Sequence, residues 1–302
     1  MEISLVIHDF KPDNGQGRYA LELARRLASR CRFRVFANTF TDTPPPGVGL
    51  VEVPAARQRY ALAIPTFLFH AQRLLRRHPR ALIHAQGLSC WDADLATVHI
   101  CNAARWRVLP PGEARARRFA RLIATVERGF FRQRRLRHLI TLSNRLTAEV
   151  RQHYGWQGPV SVIPHGTDLD QFRPAKDEAE RHELRRGLET PADSWLWLFA
   201  GEAVEGLRGA IECLPSFPDA HLLVISRSDP GPFEAQALER KVRERVHFRG
   251  FNPHPERAFR AADVLVYPTQ YESFGMVVAE AMASGLPVLV GREAGVAEWI
   301  ED

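Results

Sequence analysis

The stretch Ala262-Asp-Val-Leu-Val-Tyr-Pro-Thr-Gln-Tyr-Glu272-Ser-Phe-Gly-Met-Val-Val-Ala-Glu280-Ala-Met-Ala-Ser-Gly-Leu-Pro-Val-Leu-Val290 decides the fold. Val264 to Tyr267 is a brief apolar, β-favouring run of the kind a buried parallel strand shows, and Pro268 ends it. Gly275 to Ser284 carries helix-forming residues, and Gly285 with Pro287 stops the helix. A second apolar run, Pro287 to Val290, follows. Strand, loop, short helix and strand make one parallel βαβ unit. Glu272 falls in its loop and Glu280 on its helix. The backbone N–H groups of the Phe274–Val277 turn should point out of the helix start, which suits an anionic or oxygen-rich ligand. A carboxylate beside such a place accepts hydrogen bonds from ligand hydroxyls. Taken alone, two such glutamates equally fit a solvated face or a capping arrangement.

The same alternation extends outward through the chain. Ile3–Ile7, Phe33–Phe36, Leu50–Val53, Ala81–His84, Ala96–His99 and His138–Leu142 read as strands, separated by helical stretches such as Arg18–Arg30 and Ala61–Arg77. Leu196–Ala200, Leu222–Ile225 and Val246–Phe248 continue the pattern into the second half. Strands alternating with helices predict parallel βαβ units. Two Rossmann-like α/β domains are expected, residues 1–165 and 166–302, with the changeover in the Pro- and Gly-bearing segment Pro164–Pro174.

With 302 residues, 45% hydrophobic and 25% charged, the chain can bury two sizeable cores. No apolar run approaches the ~18 residues that would span a bilayer. Met1 leads straight into Ile3–His8 with no basic start or cleavage site, and a cytoplasmic location is expected. Cys31, Cys90, Cys101 and Cys213 show no metal or redox spacing, so they read as thiols in a reducing compartment and no metal site is predicted. The net charge of +6 comes almost wholly from arginine, since lysine occurs only at Lys11, Lys176 and Lys241. Such a balance points to an acidic partner.

That charge is concentrated in residues 113–138, where nine arginines face Glu113 and Glu127. At helical spacing Arg117, Arg121, Arg128, Arg132 and Arg135 fall within a sector of about 60°. Phe119, Ile123, Val126 and Phe130 fall opposite. Such a helix packs its apolar side on a sheet and leaves a solvated basic side. Alternatively, the basic side meets an anionic membrane surface or phosphates on an acceptor. No nucleic-acid-binding module or aromatic stacking platform accompanies the charge, so nucleic acid is not an expected partner.

Gly15-Gln-Gly17-Arg-Tyr-Ala20 formally fits a dinucleotide fingerprint. In that fingerprint the glycine turn follows its strand closely, whereas seven residues intervene after Ile7. A nicotinamide-dependent oxidoreductase is therefore disfavoured. His84 and His99 both end predicted strands, the edge of an open α/β sheet that faces ligands. His84 reads as a hydrogen-bonded structural residue.

Taken together, these features resemble the family 4 retaining glycosyltransferases. The resemblance rests on Glu272 and Glu280 seven residues apart with Phe274-Gly275 beside the first. It also rests on Val162-Ile-Pro-His-Gly-Thr-Asp168 with Phe172 and Pro174, on His247-Phe-Arg-Gly250, on Ala261-Ala-Asp263 and on Gly295-Val-Ala-Glu298. It covers nearly the whole chain and is most specific from about residue 160 onward. It implies an α/β fold of GT-B type, two Rossmann-like domains facing a cleft. The N-terminal domain would bind the acceptor and the C-terminal domain the donor. The implied reaction moves a hexose from a nucleotide-diphosphate sugar to a hydroxyl of a glycan or glycolipid acceptor, with no cofactor and no obligatory metal.

By the same resemblance, Glu280 binds the ribose hydroxyls, and Glu272 sits by the transferred sugar. Ser273, Phe274, Gly275, Met276 and Val277 line the donor. Gly250 and Phe251 border the base, and Gly15 and Gly17 lie near the phosphates. His99 orients the acceptor hydroxyl, so His99 and Glu272 are the expected catalytic residues; Ile100 replaces the usual acidic neighbour of that histidine.

The chain departs from the family in two places. The family presents Arg and then Lys-Gly after the first donor-domain strand, but this chain reads Phe199-Ala-Gly-Glu-Ala-Val-Glu205-Gly206-Leu-Arg208-Gly209. A carboxylate at Glu205 would repel a diphosphate. Arg208, Arg227 or Arg249 is expected to substitute; otherwise the chain is a degenerate, non-catalytic protein that binds a partner or membrane. The chain also stops at Asp302, soon after Glu298, and the C-terminal domain is expected to be incomplete. The basic segment with the run Glu127–Tyr154 looks like enzymes that glucosylate the lipopolysaccharide core. That likeness implies an anionic glycolipid acceptor, a role in cell-envelope biosynthesis and a peripheral position on the inner face of the membrane.

Overall fold

The computed structural model describes residues 1–58, 60–79, 81–109, 114–202, 204–250 and 254–301. Contacts divide the chain into two units, Met1–Pro164 and His165–Asp302. In chain order, unit 1 contains β1 (Glu2–Val6), β2 (Asp9–Phe10), α1 (Gly15–Leu27), β3 (Arg32–Ala37), β4 (Thr39–Phe40), β5 (Gly49–Glu52) and α2 (Tyr60–Leu75). It continues with β6 (Leu82–Gln86), β7 (Leu95–Val98), α3 (Asn102–Val108), α4 (Ala114–Phe131), β8 (His138–Thr141), α5 (Asn144–Tyr154) and β9 (Val160–Val162). Unit 2 contains α6 (Glu178–Gly187), β10 (Trp195–Ala200), α7 (Val204–Cys213), β11 (Ala220–Ile225) and α8 (Gly231–Glu239). It ends with β12 (Val246–Phe248), α9 (Glu256–Ala261), β13 (Val264–Tyr267), α10 (Met276–Ala283) and β14 (Val288–Val290).

Both main sheets are parallel. Unit 1 orders its strands β5-β3-β1-β6-β7-β8-β9, and unit 2 orders them β12-β11-β10-β13-β14. The chain therefore reverses direction across each sheet once, between β1 and β6 and between β10 and β13. In open α/β sheets, ligands bind outside the carboxyl ends of the strands at such a switch point. The loops after β1, β6, β10 and β13 are thus the places where topology alone puts a site.

Continuous apolar strands form the cores. Leu5, Val35, Leu196, Leu198 and Leu265 are wholly buried, and each contributes about 1.5–3 kcal/mol by leaving water. Helix α1, after β2, begins earlier than the glycines suggest. Asn14 caps α1 and its side chain accepts the Gly17 N–H at 2.7 Å, so Gly15–Gly17 form the first helical turn rather than a loop. A Cβ at Gly17 would collide with the Lys11 carbonyl oxygen. Gly17 therefore allows the β2 loop to lie against the helix, and its N–H is already used. Gly15 is exposed.

In unit 2 one carboxylate ties three elements together. Asp263, just before β13, accepts the Leu196 N–H at 2.6 Å and Arg185 Nη2 at 2.7 Å, and also pairs with Arg181. The remaining Arg185 donors reach the carbonyls of Ala261, Ala192 and Ser194. Arg185 is 4% exposed. Removing one partner of a buried pair strands the other charge, at a cost of about 3–5 kcal/mol. Asp263→Ala is therefore expected to lower the stability of unit 2 by about that amount in urea unfolding, and a loss below about 1 kcal/mol would contradict this role.

Candidate functional site

The loop between β13 and α10 lies at the switch point of unit 2. Its shape is set by Glu272. One carboxylate oxygen accepts the Tyr267 hydroxyl at 3.1 Å and the other accepts the Phe274 N–H at 3.4 Å. The Glu272 backbone bridges to Ala294, its carbonyl accepting the Gly295 N–H at 3.0 Å, and the Phe274 carbonyl accepts the Val296 N–H at 2.7 Å. Burial and the neighbouring Glu272 carboxylate push the Tyr267 hydroxyl well above its ordinary pKa, so it stays protonated and donates. A carboxylate has about four acceptor sites, so these two bonds leave Glu272 capacity for hydroxyls of a ligand. Gly275 caps α10 with φ +99°, a conformation that favours glycine. The first α10 turn follows, with Met276 and Val277 half-buried. Phe274 is buried, and His165 packs edge-on against it at 5.3 Å.

Of the other expected donor residues, Ser273 is buried and Glu280, on α10, is only 5% exposed. The Phe274 N–H is taken by Glu272, which corrects its assignment as a donor to ligand. Gly250, two residues past β12, has φ +62°. Phe251 lies outside the described residues. Gly206 brings α7 against the turn after β13: a Cβ there would meet the Pro268 carbonyl at 3.3 Å.

The three arginines expected to replace the missing lysine separate clearly. Arg249 is committed to the end of α6, donating to the carbonyls of Leu188 at 2.7 Å and Glu189 at 2.9 Å, so it is not a phosphate ligand. Arg208 is exposed on α7 with its guanidinium 5.4 Å from the Phe233 ring of α8. Arg227 is exposed in the loop after β11.

In unit 1, His99 directly follows β7. Its Nε2 lies 2.8 Å from Gln86 Oε1, and Tyr19 of α1 meets its ring edge-on at 5.3 Å. The Gln86 amide nitrogen is 3.2 Å from His84 Nε2, which is 2.8 Å from the Thr97 hydroxyl. Burial lowers His84 to about 4, so it is neutral and structural, as the sequence suggested. Gln86 was missed. Polar residues at alternate positions of an otherwise apolar strand, His84 and Gln86, were the available signal.

Gln86 also lines a cavity of about 130 Å³ with His8, Gln16, Asn102 and Glu127. Glu127 is buried, and it accepts Asn102 Nδ2 at 2.7 Å, the Asn102 N–H at 3.2 Å and the Tyr154 hydroxyl. Tyr154 in turn accepts the Ala103 N–H at 3.0 Å. Cys101 at the N-cap of α3 makes no side-chain cap, so α4 and α5 cap that helix from outside. Burial pushes the Glu127 carboxyl up to about 7, against these hydrogen bonds.

The basic face differs from expectation. Helix α4 ends at Phe131, where the Gln133 side chain takes the Phe130 carbonyl at 2.9 Å. Arg132 and Arg135 therefore lie beyond it. Arg135 makes a two-pronged pair with Asp94 at 2.8 and 2.9 Å, which removes it from any basic face. Arg117 donates to the Leu109 carbonyl at 2.6 Å, and Arg121 stacks 4.9 Å from the Trp106 ring. Arg121, Arg128 and Arg132 are exposed. The apolar side of α4 is not wholly covered: Phe119, Leu122 and Val126 face Leu68 and Phe69 of α2 across an open groove of about 820 Å³ edged by Arg73, Arg76 and Arg77. Phe69 is 62% and Leu122 54% exposed. Among the described residues no helix is long and apolar enough to cross a membrane.

Family comparison matches Glycosyltransferase Family 4 over residues 13–171 and Glycosyl transferases group 1 over residues 180–302. The chain is 25% identical to the lipopolysaccharide glucosyltransferase WaaG of Escherichia coli (strain K12), covering 100% of this chain and 83% of that protein. The crystal structure of WaaG superposes with a TM-score of 0.82 over 99% of this chain and 83% of that one, at 24% identity. A D-inositol 3-phosphate glycosyltransferase of Xylanimonas cellulosilytica is 29% identical over 95% of this chain and 78% of its own. Anabaena HepE in complex with UDP and glucose superposes with a TM-score of 0.70 at 17% identity, covering 100% of this chain and 83% of that one.

The raised Glu127 value fixes a pH dependence. Its carboxyl moves from 4.5 to about 7 on folding, so its contribution to stability is full below pH 4.5 and is lost as pH rises through 7. Glu127→Gln removes that titration. The melting temperature of the variant minus that of the wild-type chain is expected to rise between pH 5 and pH 8; parallel curves would show that Glu127 is not held this way.

Proposed function

We propose, for a chain that belongs to glycosyltransferase family 4 and is a hexosyltransferase, that its donor is a nucleotide-diphosphate glucose held in unit 2 and that its acceptor is an anionic glycolipid held in unit 1. The carrying observation is the Glu272 loop at the unit 2 switch point. Bond cleavage builds positive charge at the anomeric carbon and negative charge on the departing diphosphate. Stabilising the leaving group and holding the acceptor hydroxyl close are therefore the main tasks. The α10 start supplies the partial positive charge of a helix N-terminus. Gly275, Met276 and Val277 form that turn, so no metal is required for the diphosphate. Arg208 is the cation assigned to the same task, since Arg249 is engaged elsewhere. Glu272 receives hydroxyls of the transferred sugar, and Glu280 those of the ribose. His99 orients the acceptor hydroxyl, and the anomeric configuration is retained.

Similarity to WaaG supports glucose as the sugar and a lipopolysaccharide-type acceptor. The exposed Arg121, Arg128 and Arg132, with the open groove of α2 and α4, support peripheral attachment to the inner face of an anionic membrane.

Calorimetric titration with UDP-glucose is the direct test of the donor site. Saturable binding is expected, weakened about tenfold or more by Glu280→Ala and by Glu272→Ala, the loss of one to two hydrogen bonds to hydroxyls. Unchanged affinity in both variants, with intact folding, would overturn the assignment. For the membrane, each basic side chain near an anionic surface contributes about 1 kcal/mol. Replacing Arg121, Arg128 and Arg132 by Gln should thus weaken sedimentation with phosphatidylglycerol vesicles by about two orders of magnitude. Equal sedimentation of both proteins would exclude that face.

A further inference from the structure

We infer that the groove between α2 and α4 binds one anionic phospholipid of phosphatidylglycerol type, its chains in the groove and its phosphate among Arg73, Arg76 and Arg77. This is a discrete place for a single lipid molecule, beyond the attachment of a basic face to a bilayer surface. Ile64, Leu68 and Phe69 on α2 and Phe119, Leu122 and Val126 on α4 give the groove its apolar lining. Its volume of about 820 Å³ falls within the range of about 300–1,000 Å³ usual for small-molecule sites. Phe69 and Leu122 are more than half exposed. Contiguous apolar surface of this kind marks a place for a partner.

The chemistry changes along α2. Apolar residues line the groove from its first half, and Gln72, Arg73, Arg76 and Arg77 follow. The Arg76 N–H still reaches the Gln72 carbonyl at 3.3 Å, so the four-residue spacing holds from Leu68 through Gln72 to Arg76. These three side chains therefore form one stripe. The stripe leads from the apolar groove into a second cavity of about 250 Å³, for Gln72 and Arg76 line both. His78, Asp92 and Arg135 also line this second cavity. An apolar trough ending in a polar chamber matches a molecule with hydrocarbon at one end and a charged head at the other. Arg73, Arg76 and Arg77 are exposed, and none pairs with a carboxylate among the described residues. Guanidinium groups match phosphate oxygens in two-pronged geometry. Arg135 is not available, since Asp94 holds it. Asp92 accepts the Gln72 amide and keeps capacity for further donors. An anionic head with hydroxyls beside its phosphate supplies partners for both the arginines and Asp92.

Calorimetric titration of the full chain with dihexanoyl-phosphatidylglycerol, kept below its micelle concentration, tests the site without any bilayer. Saturable binding of one lipid per chain is expected. Dihexanoylglycerol and inorganic phosphate each carry half of the chemistry and should bind about tenfold more weakly or worse. Arg73→Gln, Arg76→Gln and Arg77→Gln together, or Leu122→Asp alone, should lower the lipid affinity about tenfold or more. These four side chains are exposed, so the circular dichroism of the folded chain should persist in both variants. No saturable binding, equal affinity for dihexanoylglycerol, or unchanged affinity in both variants overturns the inference. So does a dimer of the lipid-free chain in analytical ultracentrifugation that Leu122→Asp dissociates, because a second copy would then cover the groove. Absent lipid binding with intact vesicle sedimentation removes this site and leaves membrane attachment standing. Saturable lipid binding without sedimentation does the reverse.

Discussion

The bonds from the Tyr267 hydroxyl and the Phe274 N–H to the Glu272 carboxylate shape the place on which the functional reading depends. Tyr267 ends the strand, Glu272 lies in the loop and Phe274 precedes the helix. One side chain therefore fixes how β13 hands over to α10. The Val296 N–H and the Gly295 N–H brace the same loop from the segment after β14. The charge is half-used by the protein, which keeps it oriented, and half available to hydroxyls. A loop held this way needs little further ordering to meet the sugar proposed for it, and that is where preorganised polar groups gain their strength.

Unit 1 follows the same logic with different chemistry. Buried polar residues on adjacent strands complete one another's hydrogen bonds, and Glu127 with Tyr154 caps α3 three residues after His99. Leaving such groups unpaired in the interior costs about 1–3 kcal/mol each. The network therefore stabilises the loop geometry as well as aiming side chains. The penalty is visible at Glu127, whose burial raises its carboxyl to about 7 even with three donors upon it.

Much of this was legible in the chain. The long apolar strands, the two-unit α/β organisation and the loop placement of Glu272 followed from residue type and spacing. What escaped were features set by tertiary contact. The pairs Asp9–Phe10 and Thr39–Phe40 are too short to carry a period, and Val160–Val162 is hidden between Pro159 and Pro164. Glycines suggested a loop at residues 15–17, but the Asn14 cap decided in favour of helix. Helical spacing carried Arg132 and Arg135 onto one face, yet Asp94, forty-one positions away, draws Arg135 inward. Spacing along one element does not reveal a partner on another. Gln86 and His99 meet only because two strands pair in a particular register.

The central claim is that the turn from Ser273 to Val277 receives an activated sugar. Backbone amide chemical shifts of the nitrogen-15-labelled chain, followed as UDP-glucose is added, test it most directly. Saturating shifts concentrated at Ser273–Val277 and around Glu280 are predicted. Saturating shifts confined to residues 1–164, with that turn unmoved, would contradict the account.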